Sequence, residues 1–340
     1  MQYEIKTEKP LLDEKGHLNE VGWARDLLLK YNKENIRSAI ENVKEWDYYY
    51  TGNDRYGLGI STANLGTIRA LSVHFMDYEN EKYYMNISSC PITERESDQM
   101  PLTSQGNVSF DNENVQCRYI RTKENHTIEL KFENFRDGED LEANLTLSIP
   151  KTDSMVIVVP FDEDPTLFYY NQKINCLKAE GILKVGSKSH TFSPEDSFSV
   201  LDWGRGAWPK TATWYWGSAS GRVDGNDFGF NIGYGFGDTS AASENLLIYN
   251  GKAHKLEQVT FHIPESSFID PWTFTSSDGR FEMEFIPILD RHSSTPRGKY
   301  NSEQHQVFGK FNGKAILDDG TVLEISDFMG FAEEVINTNS

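Results

Sequence analysis

The chain has 340 residues, enough for one large domain or two of ordinary size, and with 38% apolar and 13% aromatic residues large rings must fill much of its interior. Its 52 Asp+Glu stand against 33 Lys+Arg, a net charge of −19, and such a field excludes nucleic acid and disfavours anionic membrane surfaces as partners. Cys90, Cys117 and Cys176 are widely spaced, with no CxxC pair and no His at zinc-ligand spacing. The opening residues lack a secretory apolar stretch, and no apolar run approaches the ~20 residues of a membrane helix. The expectation is a cytoplasmic protein with reduced thiols and no integral membrane contact.

In chain order, "DEKGHLNEVGWARD" reads as turns anchored by Trp23. "KENIRSAIENVKEW" predicts a short N-terminal helix, because Ile36, Ile40 and Val43 recur at three or four residues. From Trp46 onward the pattern is β. Runs such as "IRALSVHFMDY", "HTIELKFENF" and "LEANLTLSI" alternate and are separated by polar or glycine breaks, and "SMVIVVPF" reads as a more fully buried strand. Strands recur at a spacing of roughly ten residues, the pattern of an all-β sandwich or barrel. The polar stretch "GSKSHTFSPEDS" offers the best break, dividing the chain into 1–190 and 191–340, each the size of a barrel or sandwich.

The stretch "LDWGRGAWPKTATWYWGSASG" gathers four of the seven tryptophans, Trp203, Trp208, Trp214 and Trp216, around Asp202 and Arg205. Two readings of the charged pair stay open: an ion pair pinning a glycine-rich turn, or a general acid, Asp202, oriented by Arg205. Alternation puts Trp214, Trp216, Ser218 and Ser220 on one strand face, an apolar plate suited to core filling or to a ligand wall. In "DFGFNIGYGFGD" the rings Phe228, Phe230 and Tyr234 share one face with Ile232, while Gly229, Asn231 and Gly233 fall on the other. That bare face implies a tight barrel bend, close approach of a partner strand, or the smooth wall of a cavity. Asp238, Glu244 and Asn245 follow in a polar loop of the kind that carries ligand contacts. His305 is a second proton-transfer candidate. It stands two residues after Glu303, but two donors make no metal site, and no metal is expected. No Walker, Rossmann, GxSxG or HExxH pattern occurs, so no nucleotide or other cofactor is expected.

The segments "LDEKGHLNEVGWAR", "KEWDYYY", "LDWGRGAWP", "TWYWGSAS", "NIGYGFGD", "SENLLIYNGKAHKL" and "HQVFGKFNG" together resemble the domain of unknown function 2804 family along nearly the whole chain. More distantly, the junction "GILKVGSKSHTFSPEDSFSVLDWGRGAW" resembles the tandem lipocalin-like proteins, which include carotenoid hydratases, AttH-like proteins and certain fungal Diels-Alderases. Where the carotenoid hydratases often carry a His-Glu-like pair, this sequence has Asp202-Trp203. The resemblance implies an all-β fold of two tandem lipocalin-like (calycin) antiparallel β-barrels, and a hydrophobic ligand handled without a redox cofactor.

The resulting expectation is binding of an isoprenoid- or lipid-like small molecule, with conversion by hydration, isomerisation or cyclisation. Trp203, Trp208, Trp214 and Trp216 form the wall, with Asn231, Tyr234, Asp238, Glu244 and Asn245 as further ligand contacts, and Asp202, Arg205 and His305 carry the chemistry. Two alternatives remain. One is a carbohydrate-active protein using Trp platforms and paired carboxylates, which needs an open groove. The other is a non-catalytic lipid carrier or scaffold.

Overall fold

A computed structural model describes residues 2–95, 98–297 and 300–339. Two curled antiparallel sheets make up nearly all of it, as two lipocalin-like barrels in tandem. The first sheet runs from Lys82–Pro91 through Ile68–Asp77, Tyr56–Leu65, Val43–Gly52, Phe198–Ala207, Phe168–Val185, Glu139–Ser148, Asn125–Arg136 and Val115–Arg121 to Val108–Asp111. Its edge returns toward the far strands: the Asn86 side-chain amide donates to the Phe135 carbonyl at 3.2 Å. The second sheet runs from Lys252–Lys255 through Leu246–Tyr249, Asn226–Tyr234, Ala212–Val223, Val322–Asn339, Tyr300–Ile316, Phe281–Arg297 and Trp272–Ser276 to Val259–His262.

Local chemistry sets these hairpins. Asp224-Gly225 and Asn250-Gly251 both take positive φ at both residues, the two-residue turn whose twist matches the flanking strands. Period-two alternation then sorts side chains. In Asn226–Tyr234, Phe228, Phe230 and Ile232 enter the second barrel's core beside Phe285 and Phe311, each ring adding about 1.5–3 kcal/mol by burial.

The "KENIRSAIENVKEW" segment is not a helix. Two short 3-10 turns, Lys33–Asn35 and Ile40–Asn42, lead straight into the strand Val43–Gly52. Ile40, counted in the apolar stripe, is half exposed. Val43 and the rings that follow are claimed by pairing with Phe198–Ala207, and tertiary pairing overrides a weak local preference. The polar stretch 186–197 lies among first-sheet strands; sheet membership changes between Ala207 and Ala212. Among the described residues, no helix is long and apolar enough to cross a membrane.

The opening segment reaches across both barrels. Gly22–Ala24 pairs with Met155–Pro160 of the first sheet. Gln2 and Tyr3 bond the second: Gln2 Nε2 donates to the Leu256 carbonyl at 2.6 Å, and the Tyr3 amide to the Ala241 carbonyl at 2.9 Å.

Candidate functional site

The barrels pack outer face to outer face, and the candidate site lies in that seam. Three strands of the first sheet supply one wall. On Val43–Gly52, Tyr48 and Tyr50 point into the seam, where Tyr48 meets the edge of Trp216 (5.8 Å) and Tyr50 meets Phe308 and Phe331 (5.2 and 5.4 Å). On Phe168–Val185, Tyr169 and Lys173 do so. On Phe198–Ala207 it is Asp202. The second sheet answers with Trp214, Trp216 and Ser218 from Ala212–Val223, Asn231 from Asn226–Tyr234, and Glu333 from Val322–Asn339. The shared face of Trp214, Trp216, Ser218 and Ser220 is therefore the seam face.

Glycines let the walls approach. A Cβ at Gly229 would stand 2.9 Å from both the Cys176 Sγ and the Ala219 carbonyl, and one at Gly233 would meet Glu244 Oε1 at 2.5 Å. A bulge in Phe168–Val185, between Ile174 and Leu177, turns Asn175 across the seam, where its amide donates to Ser218 Oγ at 2.9 Å and the Phe230 carbonyl at 3.1 Å.

Buried charge concentrates here. Lys173, 1% exposed, sits 3.2 Å from Asp202 Oδ1 and 4.3 Å above the Trp216 ring. Asn171 donates to the same Asp202 oxygen at 2.5 Å. Tyr169 donates to Glu244 Oε2 at 3.2 Å. Glu244 Oε1 and Asn171 Oδ1 are buried with no hydrogen-bond partner. Trp216 Nε1 donates to Asn231 Oδ1 at 2.7 Å, and Asn231 Nδ2 to the Glu244 carbonyl at 2.9 Å. Glu333 accepts from Gln304, Gln306 and Trp214 at 3.0, 3.1 and 3.3 Å, and Gln306 also accepts from the buried Arg291 at 3.0 Å. Burial, reinforced by the charge of Asp202, raises both Glu244 and Glu333 above the usual carboxylate range, against the opposing cations Lys173 and Arg291. The two glutamates therefore hold protons further toward neutral pH than exposed carboxyls do.

Beside this cluster, along the same faces, a cleft of about 230 Å³ opens between the sheets. It is lined by Tyr50, Phe198 and Phe328, by the hydroxyls of Ser199, Ser218 and Ser220, and by Asp54, Asp196 and Asp327. Val200 and Ser218, on its wall, are the alternate neighbours of Asp202 and Trp216.

The residues singled out in sequence separate into three places. Asp202, Trp208, Trp214, Trp216, Asn231 and Glu244 meet in the seam, with Asn245 behind them: its side chain accepts from the Gly233 amide at 2.7 Å and donates to the Glu257 carbonyl at 2.9 Å. Trp208 is walled by the rings of Trp46, Tyr169 and Trp214 at 5.4–5.7 Å. Asp238 sits at the seam's rim, its amide on the Pro160 carbonyl at 2.8 Å.

Arg205 and Trp203 point the other way, into the first barrel. Residues three apart on a strand face opposite sides, so Arg205 does not orient Asp202. It lies 2.9 Å from Asp47, which Arg121 holds from its other side at 2.7 Å. Burial is the largest influence on Asp47 and would raise it, but the two guanidiniums together hold it below the usual range. Trp203 is fully buried, edge-on to Tyr170 and 4.3 Å from the Arg205 guanidinium. Neither touches the seam.

His305 and Tyr234 face the second barrel's interior. Tyr234 stacks on Tyr215 at 4.6 Å. His305 donates or accepts through Nδ1 with Asp290 at 2.7 Å. Sequence reasoning passed over Lys173, Tyr169 and Glu333. The available signal was "FYYNQKINC", where Asn171, Gln172, Lys173 and Asn175 interrupt an aromatic strand that is otherwise a core strand.

Solved structures similar to this chain share its fold. An AttH-like protein of Nitrosomonas europaea has TM-score 0.57 at 12% identity, over 96% of this chain and 98% of that one. Kievitone hydratase from Nectria haematococca has TM-score 0.50 at 11% identity, over 97% and 99%. CghA, solved with Sch210972, has TM-score 0.51 at 9% identity, over 87% and 88%. No curated protein sequence matches. The model of the domain of unknown function DUF2804 matches residues 2–338, and the chain belongs to that family.

Proposed function

We propose that the protein binds a small, largely hydrophobic molecule in the seam between its barrels and converts it without a redox cofactor, by hydration, isomerisation or cyclisation. One observation carries this reading: Asp202, Glu244 and Glu333 are gathered with Lys173 in a nearly dry seam, with Glu244 Oε1 and Asn171 Oδ1 unpartnered. Buried charges and orphaned acceptors cost stability, so packing alone gives no reason for them, and perturbed acids beside a cleft are the usual mark of proton-transfer chemistry.

In this reading Glu244, protonated and unpaired at Oε1, donates the proton. Asp202 and Lys173, whose ammonium lies over the Trp216 indole, fix the local charge. The adjoining cleft, with rings and hydroxyls on both walls, receives the remainder of the substrate. The fold shared with kievitone hydratase and CghA supports a small-molecule substrate of this kind by analogy. The three unpaired cysteines fit the reducing, cytoplasmic setting expected from the sequence.

A sugar-processing site is less well supported. Trp208 and Trp216 are buried against other rings instead of forming an open stacking platform.

The test is native mass spectrometry of protein purified from its host, followed by turnover of the extracted molecule with the parent protein and with Glu244→Gln. A co-purifying apolar molecule that the parent converts and the variant only binds is the expected result. A bound glycan, or equal turnover by both proteins, would overturn the reading. Binding without conversion by the parent would establish a carrier.

A further inference from the structure

The strand Tyr300–Ile316 has two working faces. Gln304 and Gln306 reach Glu333 in the seam, so Glu303 and His305, the alternate residues, face the second barrel's interior. Register places His292 of the neighbouring strand Phe281–Arg297 directly opposite His305. The imidazoles stack in parallel, 4.4 Å apart with 15° between their planes. Glu303 hydrogen-bonds His292 Nε2 and lies 3.9 Å from His305 Nε2.

We infer that His292, Glu303 and His305 form a divalent transition-metal site, of the zinc class, at the mouth of the second barrel. One donor atom from each residue lies within 4.8 Å of the others. Bonds of about 2.0–2.2 Å around a tetrahedral ion put ligand atoms roughly 3.3 Å apart, so loading the site takes a turn of the partly exposed Glu303 and a tilt of the more exposed His292 out of the parallel stack, which brings both Nε2 lone pairs onto one point. Two imidazoles and one carboxylate are the donor set of borderline ions, not of magnesium or calcium.

The surroundings are built for the task. Asp290 engages His305 Nδ1 at 2.7 Å, which fixes the tautomer that presents Nε2 as a free lone pair. Phe268 lies flat on the outer face of His305, 3.7 Å away and 6° from parallel. The hydroxyl of Tyr83, from the first sheet's edge strand, donates to the His292 carbonyl at 2.9 Å and pins that strand. Three protein ligands leave a fourth position open to water. The site lies on the opposite strand face from the seam and does not depend on the function proposed for it.

The experiment uses the full chain, stripped with chelator and then titrated with zinc by calorimetry and with cobalt by visible absorption. The expected result is one equivalent bound in the micromolar range or tighter, with a cobalt spectrum of four- or five-coordinate type. Glu303→Gln and His305→Ala should each lose at least tenfold in affinity. Asp290→Asn, which touches no metal, should weaken binding by about 10–100-fold while keeping one equivalent. Circular dichroism checks that each variant is folded, and the partly exposed Glu303→Gln serves as the conservative member of the set. Unsaturable binding, or folded His305→Ala and Glu303→Gln proteins that bind zinc as tightly as the parent, would overturn the inference.

Discussion

Lys173 holds its ammonium 3.2 Å from Asp202 and 4.3 Å above the Trp216 indole, in a seam where both charges have lost nearly all their water. An ion pair in such a place adds little net stability, but losing one partner strands the other. Asp202→Asn should therefore destabilise the fold by about 3–5 kcal/mol. Pairing it with Lys173→Met should cost clearly less than the two single changes added together. Chemical denaturation of the four proteins completes the cycle; strict additivity would show that the pair is not coupled.

Asp47 stands between Arg121 and Arg205 inside the first barrel, at 2.7 and 2.9 Å. Removing its charge leaves two buried guanidiniums facing one another. Asp47→Asn should lower stability by about 3–5 kcal/mol in the same chemical denaturation, toward the upper end of that range because two cations are stranded instead of one. Binding of any molecule that the seam is found to hold should be unchanged if the protein is assayed below its melting range, because Asp47 faces away from it.

Gly229 separates the barrels from a clash. A methyl there meets the Cys176 sulfur and the Ala219 carbonyl at 2.9 Å, one of them rigid backbone. Gly229→Ala should destabilise by about 1–3 kcal/mol and speed hydrogen exchange on both sides of the seam. Gly225→Ala makes a useful comparison: it has no neighbour within 4 Å, and its cost comes from its φ of +78 alone.

His126 is buried beside the Tyr49 hydroxyl, 2.6 Å from its Nδ1. Burial first, then the nearby Arg121, depresses its pKa to about 3. The unfolded chain thus takes up this proton near pH 6.5 while the folded protein refuses it until about pH 3. Stability from this residue is full above the imidazole's ordinary pKa and falls across that window by up to about 1.4 kcal/mol per pH unit. His126→Gln should flatten the acid limb of a melting-temperature profile between those values. A limb of undiminished slope would remove His126 as its source.

Glu244 shifts the opposite way. Burial raises it, so the folded protein holds a proton that the unfolded chain has released, and stability falls as pH rises through the ordinary glutamate pKa toward the folded value. Glu244→Gln should be relatively more stable above that window than below it, as read from melts at a series of pH values.

How legible was this molecule in its sequence? Alternation was enough to place Trp214, Trp216 and Ser218 together and to set Asn231 against Phe230, while the glycine face of 228–237 left close approach and a cavity wall both open. The tandem barrel architecture followed from strand spacing and resemblance. Proximity in sequence misled at Asp202 and Arg205. As a turn the two would meet; as a strand, three residues apart, they point to opposite faces. The short helix failed for a related reason, since local periodicity carries no information about the strand Phe198–Ala207 that captures Val43 and its neighbours. Lys173, Glu333 and His292 stayed hidden because their roles depend on register across strands and between barrels, which no single stretch encodes.

The opening segment gives the seam a remote anchor. Gln2 accepts from the Ser243 amide at 2.7 Å, immediately before Glu244, while its own amide holds the Leu256 carbonyl. The position of the acid is thus set partly through Ser243, its chain neighbour, by a residue 241 positions before that serine. Any fusion, trimming or modification that disturbs Gln2 and Tyr3 would act at a distance on the buried carboxyl of Glu244, and two preparations differing only there should differ in how that carboxyl is held.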